Sequence, residues 1–204
     1  MTIMKRYIIL MLTCLATITA MAQTPAAALD KCAAAINASG GVTANYSISS
    51  AQGTSKGTIA MQSKKFRISA SDVKCWFDGT TQWSWSPVTS EVNITTPTAE
   101  DLQMTNPVAA VQHFKAAFNM KKAKAKTANT LALKLTPKKK DNIKTLWLYF
   151  DTKTSLLRTA RFEMNDKTVY VVQITDYKHK ALPASTFTFD KSQVPAGTQI
   201  VDLR

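Results

Sequence analysis

Residues 130–177 read "TLALKLTPKKKDNIKTLWLYFDTKTSLLRTARFEMNDKTVYVVQITDY" and contain four apolar runs separated by short polar turns. Within each run the apolar side chains recur at every second position, which is the period of a strand. Leu131, Leu133 and Leu135 oppose Lys134, while Leu146, Leu148 and Phe150 oppose Thr145, Trp147 and Tyr149. Phe162 and Met164 oppose Arg161 and Glu163, and Tyr170, Val172 and Ile174 oppose Gln173 and Thr175. Strands joined in series by such short turns form an antiparallel meander.

The same period extends upstream. "VTANYSISS" and "GTIAMQSKKFRIS" alternate around a Gly/Ser-rich turn at residues 52–57, and "KCWFDGTTQWSWSP" (74–87) surrounds Asp78-Gly79, a strong hairpin signal. A two-residue turn there predicts Phe77 opposite Thr80, Trp76 opposite Thr81 and Lys74 opposite Trp83. Trp76, Trp83 and Trp85 then share one side, and Cys75, Gln82 and Ser84 share the other. Stacking the hairpin on the remaining strands predicts one face apolar throughout, tryptophans included.

Helical signal is sparse. "ALDKCAAAINASGG" (28–41) is a helix former stopped by Gly40-Gly41. A second, partly helical stretch covers 96–114, with Thr98 to Asp101 as a cap and Asn106-Pro107 as a helix start. "STFTFD" (185–190) reads as a strand, and the tail from residue 191 as irregular with one last short strand. The whole predicts a mainly β fold with a helical lid. It is an unclosed antiparallel β-barrel of about ten or eleven strands, with an N-terminal helix and a short helical insertion.

The insertion at residues 98–118 is itself apolar, so it is expected to cover the open end. The candidate lining of a hydrophobic cavity is then Trp76, Trp83 and Trp85 from the hairpin and Leu102, Met104, Val108, Val111 and Phe114 from the insertion. The meander adds Leu133, Leu135, Leu146, Leu148, Phe150, Phe162, Met164, Tyr170, Val172 and Ile174. The alternative is that these side chains fill an ordinary core.

Lys5 and Arg6, the apolar run 7–18 and Ala20-Met21-Ala22 follow the order of a secretory signal peptide. Cleavage after Ala22 leaves a single domain over 23–204. It lowers the net charge from +13 to +11, because two of the 26 basic residues are removed. Cys14 lacks the small residue expected before a lipid-modified cysteine, so the mature chain reads as soluble and monomeric. In an exported protein such a charge suits anionic lipid head groups, acidic proteins or plain solvation. Nucleic acid is disfavoured because "KKAKAK" (121–126) and "PKKKD" (137–141) carry no interleaved aromatics. Cys32 and Cys75 can pair in an oxidising compartment, but sequence does not place them within reach of each other.

Catalytic and metal signatures are missing. His113 and His179 have no ligand partners at metal spacing, and the 13 acidic residues are scattered. No nucleophile elbow, phosphate loop or His-Glu-x-x-His run occurs. The chain reads as a non-enzyme with no cofactor.

"WFDGTTQWSWSP" (76–87) resembles a segment of periplasmic outer-membrane lipoprotein carrier proteins of the LolA type. "GTIAMQSKKFR" (57–67), "LKLTPK" (133–138) and "STFTFDKSQVPAGTQIVD" (185–202) are similar to further family segments, in the same order. The resemblance implies an incomplete barrel lidded by helices. It also implies acyl-chain carriage across the periplasm, from an inner-membrane lipoprotein-release transporter to an outer-membrane receptor. One departure is visible. The family often has an arginine before a Pro-x-x-Phe stretch that hydrogen-bonds the lid, whereas this chain has Ser63 and Lys64 there. A lipid- or lipoprotein-binding sensor on the same fold, and a basic structural or adhesion protein with a filled core, remain open as alternatives.

Overall fold

The structure, a computed structural model, describes residues 24–38, 40–103 and 106–204. The proposed signal segment, with Cys14, lies outside these residues. Helix α1 spans Pro25–Asn37 and α2 spans Pro107–Ala117. The strands are β1 (Val42–Ser50), β2 (Gly53–Gln62), β3 (Lys65–Ala70), β4 (Lys74–Phe77), β5 (Gln82–Ser86) and β6 (Glu91–Thr95). They continue as β7 (Phe118–Ala123), β8 (Thr130–Pro137), β9 (Ile143–Asp151), β10 (Leu157–Met164), β11 (Val169–His179) and β12 (Gln199–Asp202).

All twelve form one sheet in the order β12-β6-β5-β4-β3-β2-β1-β11-β10-β9-β8-β7, with β7 and β12 as free edges. Every pairing is antiparallel except β12 with β6, which is parallel. The expected unclosed barrel is therefore present, with twelve strands instead of ten or eleven. The run "GTIAMQSKKFRIS" divides at Ser63-Lys64 into β2 and β3, and the last short strand expected in the tail is β12: after β11 the chain crosses the back of the sheet and returns beside β6. "STFTFD" is not a strand. Ala184–Thr186 forms a short 3-10 turn, and Phe187 is fully buried.

Nine strand positions separate β4 from β7, inclusive, or roughly 38 Å across a flat sheet at about 4.8 Å per strand. Yet Phe77 of β4 and Phe118 of β7 belong to one apolar cluster with residues of α1 and α2. The sheet closes that distance by curling around the helices. In α1 the buried positions are Ala28, Leu29, Cys32 and Ile36, a stripe of helical period turned to the sheet. Thr24 starts the helix by accepting the Ala27 backbone N–H at 3.2 Å, and Pro25 follows in the first turn.

A bulge in β11 keeps the pattern in phase. Pairing with β1 shifts between Thr43 and Asn45, and Asp176 adopts a positive φ of 54° as the extra residue. Val172 before the bulge and Tyr177 after it both reach the inner cluster, which strict alternation would forbid. At Gly57, on β2, an added Cβ would lie 2.4 Å from the Ser69 carbonyl oxygen and 2.8 Å from the Tyr46 hydroxyl. Only glycine permits that close crossing.

Candidate functional site

The inner face of the sheet, under the two helices, is where the expected lining residues gather. Leu133, Leu135, Leu146, Leu148 and Phe150 are buried there, joined by the partly buried Phe162 and Val172. Cross-strand pairing stacks them directly: Leu133 faces Leu148, Leu135 faces Leu146, and Ala160 and Phe162 face Leu148 and Leu146 in turn. Val111 and Phe114 of α2 and Leu102 of the preceding loop join the same cluster. The insertion thus covers the sheet as its sequence predicts. Val108 lies on α2, and Met104 falls outside the described residues. Met164 is half-buried opposite Ile143, Tyr170 is 38 % exposed, and Ile174 is half-buried at the bulge.

The tryptophans are elsewhere. Phe66 pairs with Phe77 and Ile68 with Cys75, and all four belong to the inner cluster. Arg67 and Trp76, paired between them, therefore point outward. The hairpin loop holds four residues, not two: Asp78 Oδ1 accepts the backbone N–H groups of Thr80 and Thr81, each at 2.8 Å. Trp76 faces Trp83, and Lys74 faces Trp85. This slips the expected register by two residues, which preserves faces. Trp76, Trp83 and Trp85 do share one side, as expected, but it is the outer side.

The C-terminal segment covers them. Trp76 is fully buried and meets Phe189 edge-on at 5.4 Å. The Arg67 guanidinium stands 5.8 Å from the Trp76 ring, and Lys74 Nζ lies 5.0 Å from the Trp85 ring while donating to the Gln193 carbonyl at 2.8 Å. Over β5 and β6 the inner face carries Gln82, Ser84, Asn93 and Thr95, and the apolar side has moved outward. The expectation of a single apolar face holding both the leucines and the tryptophans is corrected accordingly.

Among the described residues the helices are held by few polar ties. Lys115 of α2 pairs with Asp30 of α1 at 2.8 Å on the surface. The tight turn between β2 and β3 connects to both. The Ser63 N–H donates to Asn37 Oδ1 at 2.9 Å, and Asn106 Nδ2 donates to the Lys64 carbonyl at 2.6 Å. Asn106 also caps α2, its Oδ1 accepting the Ala109 N–H at 3.2 Å. The positions where the family's arginine is missing thus offer main-chain groups to two asparagines. The lone signal for this in the sequence was Asn106-Pro107, legible as a cap and not as a tie.

A cavity of about 110 Å³ lies where α1 meets the β7 edge, lined by Ala28, Lys122, Leu131, Phe150 and Ser155 among others. A larger one, about 440 Å³, opens beside the β11 bulge between Asp151, Arg158, Thr159, Gln173 and Thr175, with no wall from either helix.

Cys32 and Cys75 are unbonded and buried. Cys32 sits by the Leu157 backbone, and Cys75 accepts from the Ser84 hydroxyl at 3.6 Å. Between β4 and β10 stand β3, β2, β1 and β11, which accounts for their separation. Burial pushes the Cys32 thiol up to about 11, against the opposing Leu157 hydrogen bond, and burial likewise raises Cys75. Among the described residues no cluster of His, Cys, Asp and Glu could hold a metal, and no helix is long and apolar enough to cross a membrane.

The family described as "Outer membrane lipoprotein carrier protein LolA" matches residues 15–172. No curated protein matches the sequence. Among solved structures, an uncharacterized conserved protein from Thermus thermophilus superposes with a TM-score of 0.60 at 11 % identity, covering 86 % of this chain and 96 % of that one. A LolA superfamily protein from Nitrosomonas europaea gives 0.44 at 11 % identity, covering 80 % and 96 %. The Pseudomonas aeruginosa MucA/MucB complex gives 0.48 at 12 % identity, covering 84 % of this chain and 60 % of that one.

Proposed function

Since the chain belongs to the LolA family of outer-membrane lipoprotein carriers, we propose that it is a periplasmic carrier for the acyl chains of lipoproteins. Cargo would pass from an inner-membrane release transporter to an outer-membrane receptor. The inner face of the sheet, with Leu133, Leu135, Leu146, Leu148 and Phe150, would take the chains once the helices lift.

The observation that carries this reading is the contrast between cover and fastening. An apolar sheet face is covered by two short helices, whose polar ties include one surface ion pair, two asparagine hydrogen bonds, the Lys138 ammonium on the Lys115 and Ala116 carbonyls, and the Cys32 thiol at the Leu157 backbone. Such an ion pair contributes about 0–1 kcal/mol, and each hydrogen bond about 1 kcal/mol. A fatty acyl chain of about 15 methylenes costs on the order of 12 kcal/mol to leave in water, at about 0.8 kcal/mol per CH₂. Cargo of that kind can replace the apolar contacts of the helices with its own and can be handed on when a partner offers a better surface. Binding and release suffice; no bond is made or broken.

Titration with an apolar fluorescent probe tests it. Saturable uptake, competed by long-chain acyl compounds, is expected. A flat titration over a wide concentration range would remove the carrier reading.

A second reading, a structural module with a filled core, draws on the interior itself, where Leu29, Ile36, Phe114 and Phe118 occupy the space against the sheet. On that reading Leu148→Ala destabilises and no condition yields probe uptake. On the carrier reading Leu148→Ala changes both stability and the apparent probe affinity.

A further inference from the structure

The positive charge of this protein is not evenly spread. Residues 118–151, which make β7, β8, β9 and their turns, contain nine lysines, no arginine and two acidic residues, Asp141 and Asp151. They supply seven of the thirteen net charges on about one sixth of the chain.

Register turns this composition into a surface. On the outer face Lys121 pairs with Lys134, and Lys134 with Trp147, as direct neighbours across β7, β8 and β9. Lys134 Nζ stands 5.2 Å from the Trp147 ring, and Tyr149 is the next outward residue along β9. Lys138, Lys139 and Lys140 are exposed at one end of this surface, and Lys124 and Lys126 at the other. Asp151 is engaged by Arg158. Among the described residues, none of these lysines has a carboxylate partner; Lys138 bonds main-chain oxygens of Lys115 and Ala116.

We propose that the outer face of β7, β8 and β9 is a docking surface for the phosphate head groups of an anionic membrane. Lysine meets phosphate as a mobile point charge that needs no fixed geometry, and the rings between the lysines favour a lipid layer over an acidic protein. Trp147 and Tyr149 are half-buried among the lysines, the amphipathic rings that settle at a membrane interface. The surface adjoins the β7 edge, so docking would hold the seam between α1 and β7 near the bilayer. This goes beyond acyl carriage and does not depend on it.

Co-sedimentation with vesicles is the test. The protein should bind phosphatidylcholine vesicles containing about 30 % phosphatidylglycerol, bind pure phosphatidylcholine at least tenfold more weakly, and be released by about 0.5 M salt. Each lysine near an anionic surface contributes roughly fivefold. The triple variant Lys121→Glu, Lys134→Glu, Lys139→Glu should therefore lose more than about tenfold in partitioning, and the glutamine version should lose less. A charge-matched control, Lys56→Glu, Lys180→Glu, Lys191→Glu, should stay within about threefold of wild type. Equal loss in the two triple variants, absence of binding to the anionic vesicles, or capture by polyglutamate beads but not by vesicles would each overturn the proposal. Uptake of the apolar probe, measured on the same variants, should be unchanged, which keeps a failure of docking distinct from a failure of carriage.

Discussion

Asn106 Nδ2 donates to the main-chain oxygen of Lys64 at 2.6 Å, while Asn106 Oδ1 accepts the Ala109 N–H at 3.2 Å. One side chain therefore both starts α2 and ties it to the turn between β2 and β3. The two roles can be separated. Asn106→Ser keeps a capping oxygen but is too short to reach Lys64; Asn106→Ala removes both. Alanine should cost about 1–2 kcal/mol in chemical denaturation and serine less. Both should speed probe uptake in stopped flow if the tie holds the cover closed. Unchanged rates in both variants would mean that the tie has no part in opening.

Trp76 divides the two faces of the sheet experimentally. It is fully buried on the outer side, against Phe189 and the Arg67 guanidinium. Trp76→Ala should lose about 3–5 kcal/mol, as for a filled site. Among the described residues its indole N–H finds no acceptor, so Trp76→Phe should cost far less. Neither should alter the stoichiometry of probe bound per folded molecule. A change in stoichiometry would return the tryptophans to the cargo site.

The strand period made most of this fold legible, because nearly every strand from β7 to β11 has one apolar side. Asn106-Pro107 and Gly40-Gly41 likewise marked helix ends. The aromatic hairpin misled for a physical reason. Alternation says which residues share a side, not which side faces in. The deciding contacts, Phe66 with Phe77 and Ile68 with Cys75, link β3 to β4, and the alternation of Phe66, Arg67 and Ile68 already carried that signal. What covers Trp76 was not legible, since it depends on a tail that crosses six strands, β1 to β6, to pair on the far side of β6.

The two cysteines give a direct chemical check. Cys32 and Cys75 are unbonded and buried, with the Cys32 thiol raised to about 11. Both should resist iodoacetamide in the native state from about pH 7 to about pH 9, where an ordinary thiol becomes reactive. Both should label fully in denaturant without reductant, as read by peptide mass spectrometry. Labelling that requires reductant would reveal a bridge and place β4 nearer α1 than this arrangement allows.

Asp151 gives the pH dependence a sign. Its carboxylate is held below the usual range by the Thr154 N–H first, with the Lys153 N–H, the Thr154 hydroxyl and the Arg158 guanidinium adding to this and burial opposing it. A carboxyl lowered in the folded state adds stability that is fully present above its unfolded value, about 3.9, and is lost as pH falls through the folded value. Wild type should therefore lose more stability than Asp151→Asn between about pH 5 and about pH 3, in urea titrations compared at each pH. The difference should be largest at the acid end, because the asparagine cannot gain a proton and keeps its acceptor oxygen toward Thr154. Parallel pH profiles for the two proteins would show that the turn between β9 and β10 does not depend on the charge of Asp151.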